Sequence, residues 1–188
     1  MKKKTIILLV ILAVIAALVI GCIGMYNGLA SDREAVETAN STISVQLQRR
    51  NDLIPNLVST VKGFASHETE AIEAVTTARA NMMGAQSASE QAAASDQLSA
   101  ALARLAVVVE NYPDLKANEN YIALQDELAG TENRIGVARK DYNDAVRKYN
   151  TQIVKFPKNL IAGIFGFEKA AYFEASEGAQ DVPQVNFD

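Results

Sequence analysis

The sequence is short of the side chains that most chemistry needs. In 188 residues it has one histidine, one cysteine and no tryptophan. The lone cysteine, Cys22, cannot close an internal disulfide. The zinc-protease helix motif needs two histidines four residues apart, and "SHETE" at 66–70 has only His67. A carboxylate-bridged di-iron bundle needs a Glu-x-x-His pair on each of two helices, which one histidine cannot supply. A catalytic nucleophile needs a base held in turn by a third group, and no such set is apparent. The sequence therefore points away from an enzyme, and no cofactor or metal is expected. Glycine and proline are scarce between residues 29 and 156, and no stretch sustains the two-residue alternation of a strand. Positive charge is also in deficit. Beyond residue 25 there are 15 basic and 22 acidic side chains, a net charge of −7. That balance excludes nucleic acid as an expected partner and argues against a domain spread over anionic lipid.

What is abundant is apolar helix. Residues 5–25, "TIILLVILAVIAALVIGCIGM", carry no charge. At about 1.5 Å per residue they span ~31 Å, the thickness of a bilayer's hydrocarbon core. The run exceeds the apolar core of a secretory signal, so it predicts a retained transmembrane helix in contact with membrane lipid. The alternative is a lipoprotein signal: "VIGC" at 19–22 has the small-residue-plus-Cys form, and Cys22 would then carry the lipid. Lys2, Lys3 and Lys4 precede the span, whereas Arg33 stands among Asp32, Glu34 and Glu37 after it. Positive charge stays cytoplasmic, so the chain beyond the span is expected outside the cytoplasm.

Four amphipathic helices are predicted beyond the span. The first covers 31–51, opened by a capping box "SDRE" with Gly28 as a hinge before it. The second covers 55–82, with Pro55 at its first position, where a missing N–H costs nothing. The third covers 88–110, opened by the capping box "SASE" at 87–90 and ended by Pro113. The fourth starts after a cap at Asn118 and is marked by heptad spacing of Tyr121, Leu128, Ile135, Tyr142, Tyr149 and Phe156, with Pro157 ending it. The predicted fold class is all-α: an N-terminal transmembrane helix, then an antiparallel up-down-up-down four-helix bundle with coiled-coil-like packing. The domain plan is a basic N-terminus at 1–4, the span at 5–25, the bundle at 26–156, a short amphipathic segment at 157–173 and a disordered tail at 174–188.

This plan singles out three groups of residues. In "RRNDLIPN" and "NYPDLKAN", Arg49, Arg50, Asp52, Asn56, Asp114 and Lys116 converge from two turns on the membrane-distal tip. That arrangement reads either as caps and turns or as a docking surface for a protein partner. Asn40, Glu68 and Thr131 fall on inward stripes at one level and are expected to form a buried polar layer, with Glu68 bonded to Asn40, Thr131 or Arg134. In "FPKNLIAGIFGFEKAAYF", Leu160, Ile164, Phe165 and Phe167 either lie in the membrane interface or fold back onto the open end of the core.

Several stretches carry a family resemblance: "QLQRRNDLIPNLVSTVKGFASHE" at 46–68, "YPDLKANENYIALQDELAGTENRI" at 112–135 and "ARKDYNDAVRKYN" at 138–150, with "MYNGL" before them and "FP" and "GF" after. The chain resembles the LemA family of bacterial proteins. The resemblance implies a short N-terminus, one transmembrane helix and an antiparallel helical bundle. It implies no established activity, and it keeps a cytoplasmic bundle open. The expected role is a membrane-anchored, non-enzymatic scaffold or interaction module of the cell envelope with an envelope-protein partner. The alternative is a lipid-associated, membrane-remodelling structural protein.

Overall fold

The computed structural model describes residues 2–174, and every regular element among them is a helix. In chain order these are α1 (Lys2–Phe64), α2 (Thr69–Gly84), α3 (Ala88–Val109), α4 (Pro113–Lys116), α5 (Glu119–Val154) and α6 (Lys158–Phe165). The tail expected to be disordered lies outside the described residues, apart from Glu174.

The largest departure from expectation is α1. It continues without a break through Gly28, through the expected capping box at 31–34 and through Pro55. Two polar side chains of "SDRE" find partners without leaving the helix. Asp32 pairs with Lys148 at 2.8 Å, and Arg33 with Glu37 one turn on at 3.1 Å. Pro55 has no N–H for the carbonyl of Asn51, the acceptor four residues back. Arg79 of α2 supplies the missing donor: its Nε donates to that carbonyl at 3.0 Å. Ile54, Leu57 and Val61 stay on one buried face of α1 as a result. The chain reverses about thirteen residues later than expected, at 65–68, where Ala65 is buried and the Glu68 N–H donates to its carbonyl. The helix expected at 55–82 is thereby divided between α1 and α2.

Later elements follow the sequence more closely. Both halves of the Ser87–Glu90 capping box form at the start of α3. Asn118 Oδ1 accepts from the Tyr121 N–H at 3.1 Å at the start of α5. α3 ends at Val109, and Pro113 opens α4 rather than closing α3. α5 stops at Val154, before the last expected heptad position, and Phe156 is 80% exposed.

The described residues fall into two compact units. The first comprises the chain up to Ala39 together with Asp144–Ala170. Its core joins Leu29 of α1 to Ile161 and Ala162 of α6, with Met25, Ile153 and Phe167 against them. The second comprises Asn40–Asn143 and the residues from Ala171 on. Its core draws Ile54 and Val61 from α1, Ile72 and Val75 from α2, Leu98 and Leu105 from α3, Leu115 from α4 and Tyr121 from α5. Each such aliphatic side chain, fully buried, contributes about 1.5–3 kcal/mol, so every helix of this unit is held by burial more than by propensity.

Candidate functional site

The first unit exposes an unusual amount of apolar surface. Ile7, Ile11, Leu18 and Ile20 of α1 are all at least half exposed, Ile20 by 70%. This part of α1 is long and apolar enough to cross a membrane. The short helix α6 is two-faced: Ile161 and Ala162 pack into the core, whereas Leu160, Ile164 and Phe165 are exposed. Tyr26 of α1 stands edge-on to Phe165 at 4.9 Å and to Phe167 at 5.5 Å. Gly166 ends α6 in the left-handed region at φ 70°, a conformation that suits glycine. Phe167 is thereby turned toward the core, and its N–H donates to the Ala162 carbonyl. Of the four residues expected at a membrane interface, three are presented outward and Phe167 is not.

The extended residues after Gly166 are gripped by asparagines of α5. In the first unit, Asn150 both accepts from the Ala170 N–H and donates to its carbonyl, each at 2.9 Å. In the second unit, Asn143 does the same for Phe173, at 2.9 and 3.0 Å. Tyr142 Oη donates to the Ala171 carbonyl at 2.8 Å. Phe173 is buried, edge-on to Tyr142 and beneath the Arg139 guanidinium at 4.8 Å.

The second unit also buries a charged cluster on α3. Arg50, 4% exposed, reaches Glu132 at 3.0 Å, Ser99 at 3.0 Å and Ser95 at 3.4 Å. Arg139 donates to Ser95 at 2.7 Å and pairs with Asp96 at 3.3 Å. Two guanidiniums thus meet two carboxylates across a buried serine hydroxyl, the pairing that a buried charge requires. Burial still pushes the Arg50 pKa below its ordinary value, and Glu132 opposes that shift.

This arrangement corrects the expected docking tip. Because α1 does not turn at Pro55, Arg49, Arg50, Asp52 and Asn56 lie within a helix instead of at a loop. Arg49 pairs with Glu127 of α5 at 2.6 Å, and Arg50 is buried. Asp52 accepts from Gln48, and the Asn56 carbonyl accepts from Thr60, both bonds within α1. Asp114 is exposed on α4, and Lys116 pairs with Glu110. The turn that does meet the α3–α5 connection is the one at 65–68, through Tyr112 Oη donating to Glu68 at 2.7 Å.

The expected polar layer is corrected for the same reason. Glu68 sits in that turn, and its bond goes to Tyr112 rather than to Asn40, Thr131 or Arg134. Thr131 is buried; its hydroxyl donates to the Glu127 carbonyl and accepts from Arg134. Asn40 Oδ1 is buried with no hydrogen-bond partner. The residues that sequence reasoning passed over are Arg79, Ser95, Arg139, Asn143 and Asn150. A signal existed for two of these groups. Ser95 continues the Leu98–Leu105 seam one turn back, and Tyr-Asn recurs seven residues apart at 142–143 and 149–150. Among the described residues, no group of three His, Cys, Asp or Glu side chains is placed to hold a metal ion.

Comparison with known proteins gives a consistent result. The profile of the LemA family matches residues 39–187. The sequence is 29% identical over 186 residues to magnetosome protein MamQ 2 of Paramagnetospirillum magneticum, covering 85% of this chain and 68% of that protein. It is 26% identical to magnetosome protein MamQ of Magnetospirillum gryphiswaldense over the same shares. It is 25% identical over 156 residues to protein LemA of Metamycoplasma hominis, covering 82% of this chain and 71% of that protein.

Proposed function

The chain belongs to the LemA family, and from that premise we propose that it is a membrane-anchored, non-enzymatic scaffold of the bacterial cell envelope. In this reading the apolar part of α1 crosses the membrane once, and the rest of α1 joins α2, α3 and α5 in an antiparallel four-helix bundle outside the cytoplasm. The observation that carries it is the exposure of Ile6 through Ile23, a run that stays exposed among the described residues. In water, apolar surface on that scale is unfavourable at about 25 cal/mol per Å²; a bilayer removes the cost. The similarity to magnetosome proteins supports service in a membrane-bound assembly. The interaction surface we assign to a protein partner is the end of the second unit that carries Asp114 and the Glu68–Tyr112 contact, since Arg50 is withdrawn from it by burial.

Fractionation and protease access test this. The chain is expected to stay with membranes through alkaline carbonate extraction, and protease added to intact spheroplasts is expected to cut it beyond residue 30. Recovery in the carbonate supernatant would remove the anchor; full protection from protease would place the bundle in the cytoplasm. A second reading, a lipid-associated protein that remodels membranes, is favoured by the outward apolar face of α6. It predicts that the full chain changes the shape or permeability of vesicles, which a passive anchor does not.

A further inference from the structure

Resting on the membrane reading above, we propose that the first unit holds one anionic phospholipid, its acyl chain in a groove between α1 and Phe165 and its phosphate on Lys158 and Lys155. The groove has a volume of about 360 Å³ and is walled by Ile15, Leu18, Val19, Ile23, Tyr26 and Phe165, with Cys22 opening onto it. None of these side chains is charged or carries an amide, which suits an alkyl chain and not a peptide backbone. The groove is continuous with the exposed apolar face of α1, so a lipid reaches it sideways from the bilayer.

Charge begins where the groove ends. A Cβ placed on Gly28, two residues beyond Tyr26, would stand 3.8 Å from Lys158 Nζ. That is about 3 Å of helix rise above the aromatic ring. Lys158 donates to Gln152 at 2.7 Å, a neutral partner that leaves its charge uncompensated. Lys155, one turn earlier in sequence, is exposed. From Ala145 to Phe167 the only charged side chains are Arg147, Lys148, Lys155 and Lys158. Asp144 occupies Arg147 and Asp32 occupies Lys148, so the two remaining lysines carry the field. α6 begins beside them, but its Asn159 and Leu160 N–H groups already donate to the Lys155 and Pro157 carbonyls, so the anion is held by the lysines. The net acidity of the chain argued against a broad lipid-facing surface; it does not reach this stretch. The carboxylates that flank this stretch are Asp32, paired with Lys148, Asp144, paired with Arg147, and Glu168 beyond Phe167; a zwitterionic headgroup would bring its own cation toward two lysines, so the site selects an anionic lipid.

The test is native mass spectrometry of the full chain released from nanodiscs of phosphatidylcholine and phosphatidylglycerol at three to one. The lipid retained is expected to be phosphatidylglycerol, enriched well beyond its share. K155Q and K158Q are each expected to cut the enrichment about fivefold, whereas F165A is expected to lower retention of both lipids alike. Insertion into pure phosphatidylcholine nanodiscs is scored separately. Failure there defeats the membrane reading itself. Insertion with lipids retained at the bulk ratio, or enrichment that survives the double lysine variant, overturns the lipid site alone.

Discussion

Pro55 and Arg79 show how one residue's deficit is met by another. A proline inside a helix costs about 3 kcal/mol relative to alanine, in part through the acceptor it leaves unpaired. Here that acceptor, the carbonyl of buried Asn51, receives the Arg79 Nε. R79A is expected to destabilise the chain by about 1–3 kcal/mol, the usual cost of a buried unpaired carbonyl. P55A restores a backbone donor, so in that background R79A is expected to cost distinctly less. Urea unfolding of the two single variants and the double variant measures the coupling, and additivity would break the link. Tyrosine gives a second test at this scale. Hydrogen bonding to Glu68 raises the Tyr112 pKa above its ordinary 10.0. Burial does the same for Tyr121, Tyr142 and Tyr149, opposed at Tyr149 by Arg33. A raised folded value means that the stabilisation is whole below pH 10 and is lost as pH climbs through the folded values. Thermal melting is expected to fall steeply on that side. In Y112F the part of the fall due to Tyr112 disappears.

At the scale of elements, caps and periodicity were legible and the course of α1 was not. The "SASE" box and Asn118 fixed the starts of α3 and α5 because each supplies a local donor–acceptor match that needs nothing from elsewhere. "SDRE" has the same pattern, but Arg33 pairs with Glu37 within the helix and Asp32 with Lys148 far off in sequence, so the helix runs through it. Pro55 was read by its local cost, and the donor that offsets it comes from 24 residues away. The heptad of α5 predicted its buried side correctly as far as Tyr149 and failed at Phe156, where the helix has already stopped. The grip of Asn143 and Asn150 shows in the sequence only as the repeated Tyr-Asn of α5, because it holds main chain and so leaves no pattern in the held residues. N143A is expected to speed hydrogen exchange at the Phe173 amide by tenfold or more, with N150A doing so at Ala170. Unchanged exchange in either variant would mean that the bonds do not hold the segment in solution.

For the molecule as a whole, the all-helical fold, the apolar N-terminal helix and the family were all readable, since each rests on composition, period or long motifs. The candidate sites were readable only in part. Leu160, Ile164 and Phe165 are exposed, because an amphipathic helix of eight residues declares its own faces. The docking residues were displaced once a single reversal moved from 52–55 to 65–68, and every inference built on that turn moved with it. The buried Arg50–Ser95–Arg139 cluster depends on three helices meeting, which one-dimensional pattern does not encode. The asparagine grip has a different kind of consequence. An amide paired with a neighbour's N–H and C=O is blind to that neighbour's side chain. From Glu168 to Phe173, therefore, the main chain is held by Asn150 at Ala170, Tyr142 at Ala171 and Asn143 at Phe173, and only Phe173 is also recognised by what it is. Glu168, Lys169 and Tyr172 are exposed, so over time this stretch is free to change its chemistry toward any partner while keeping its path.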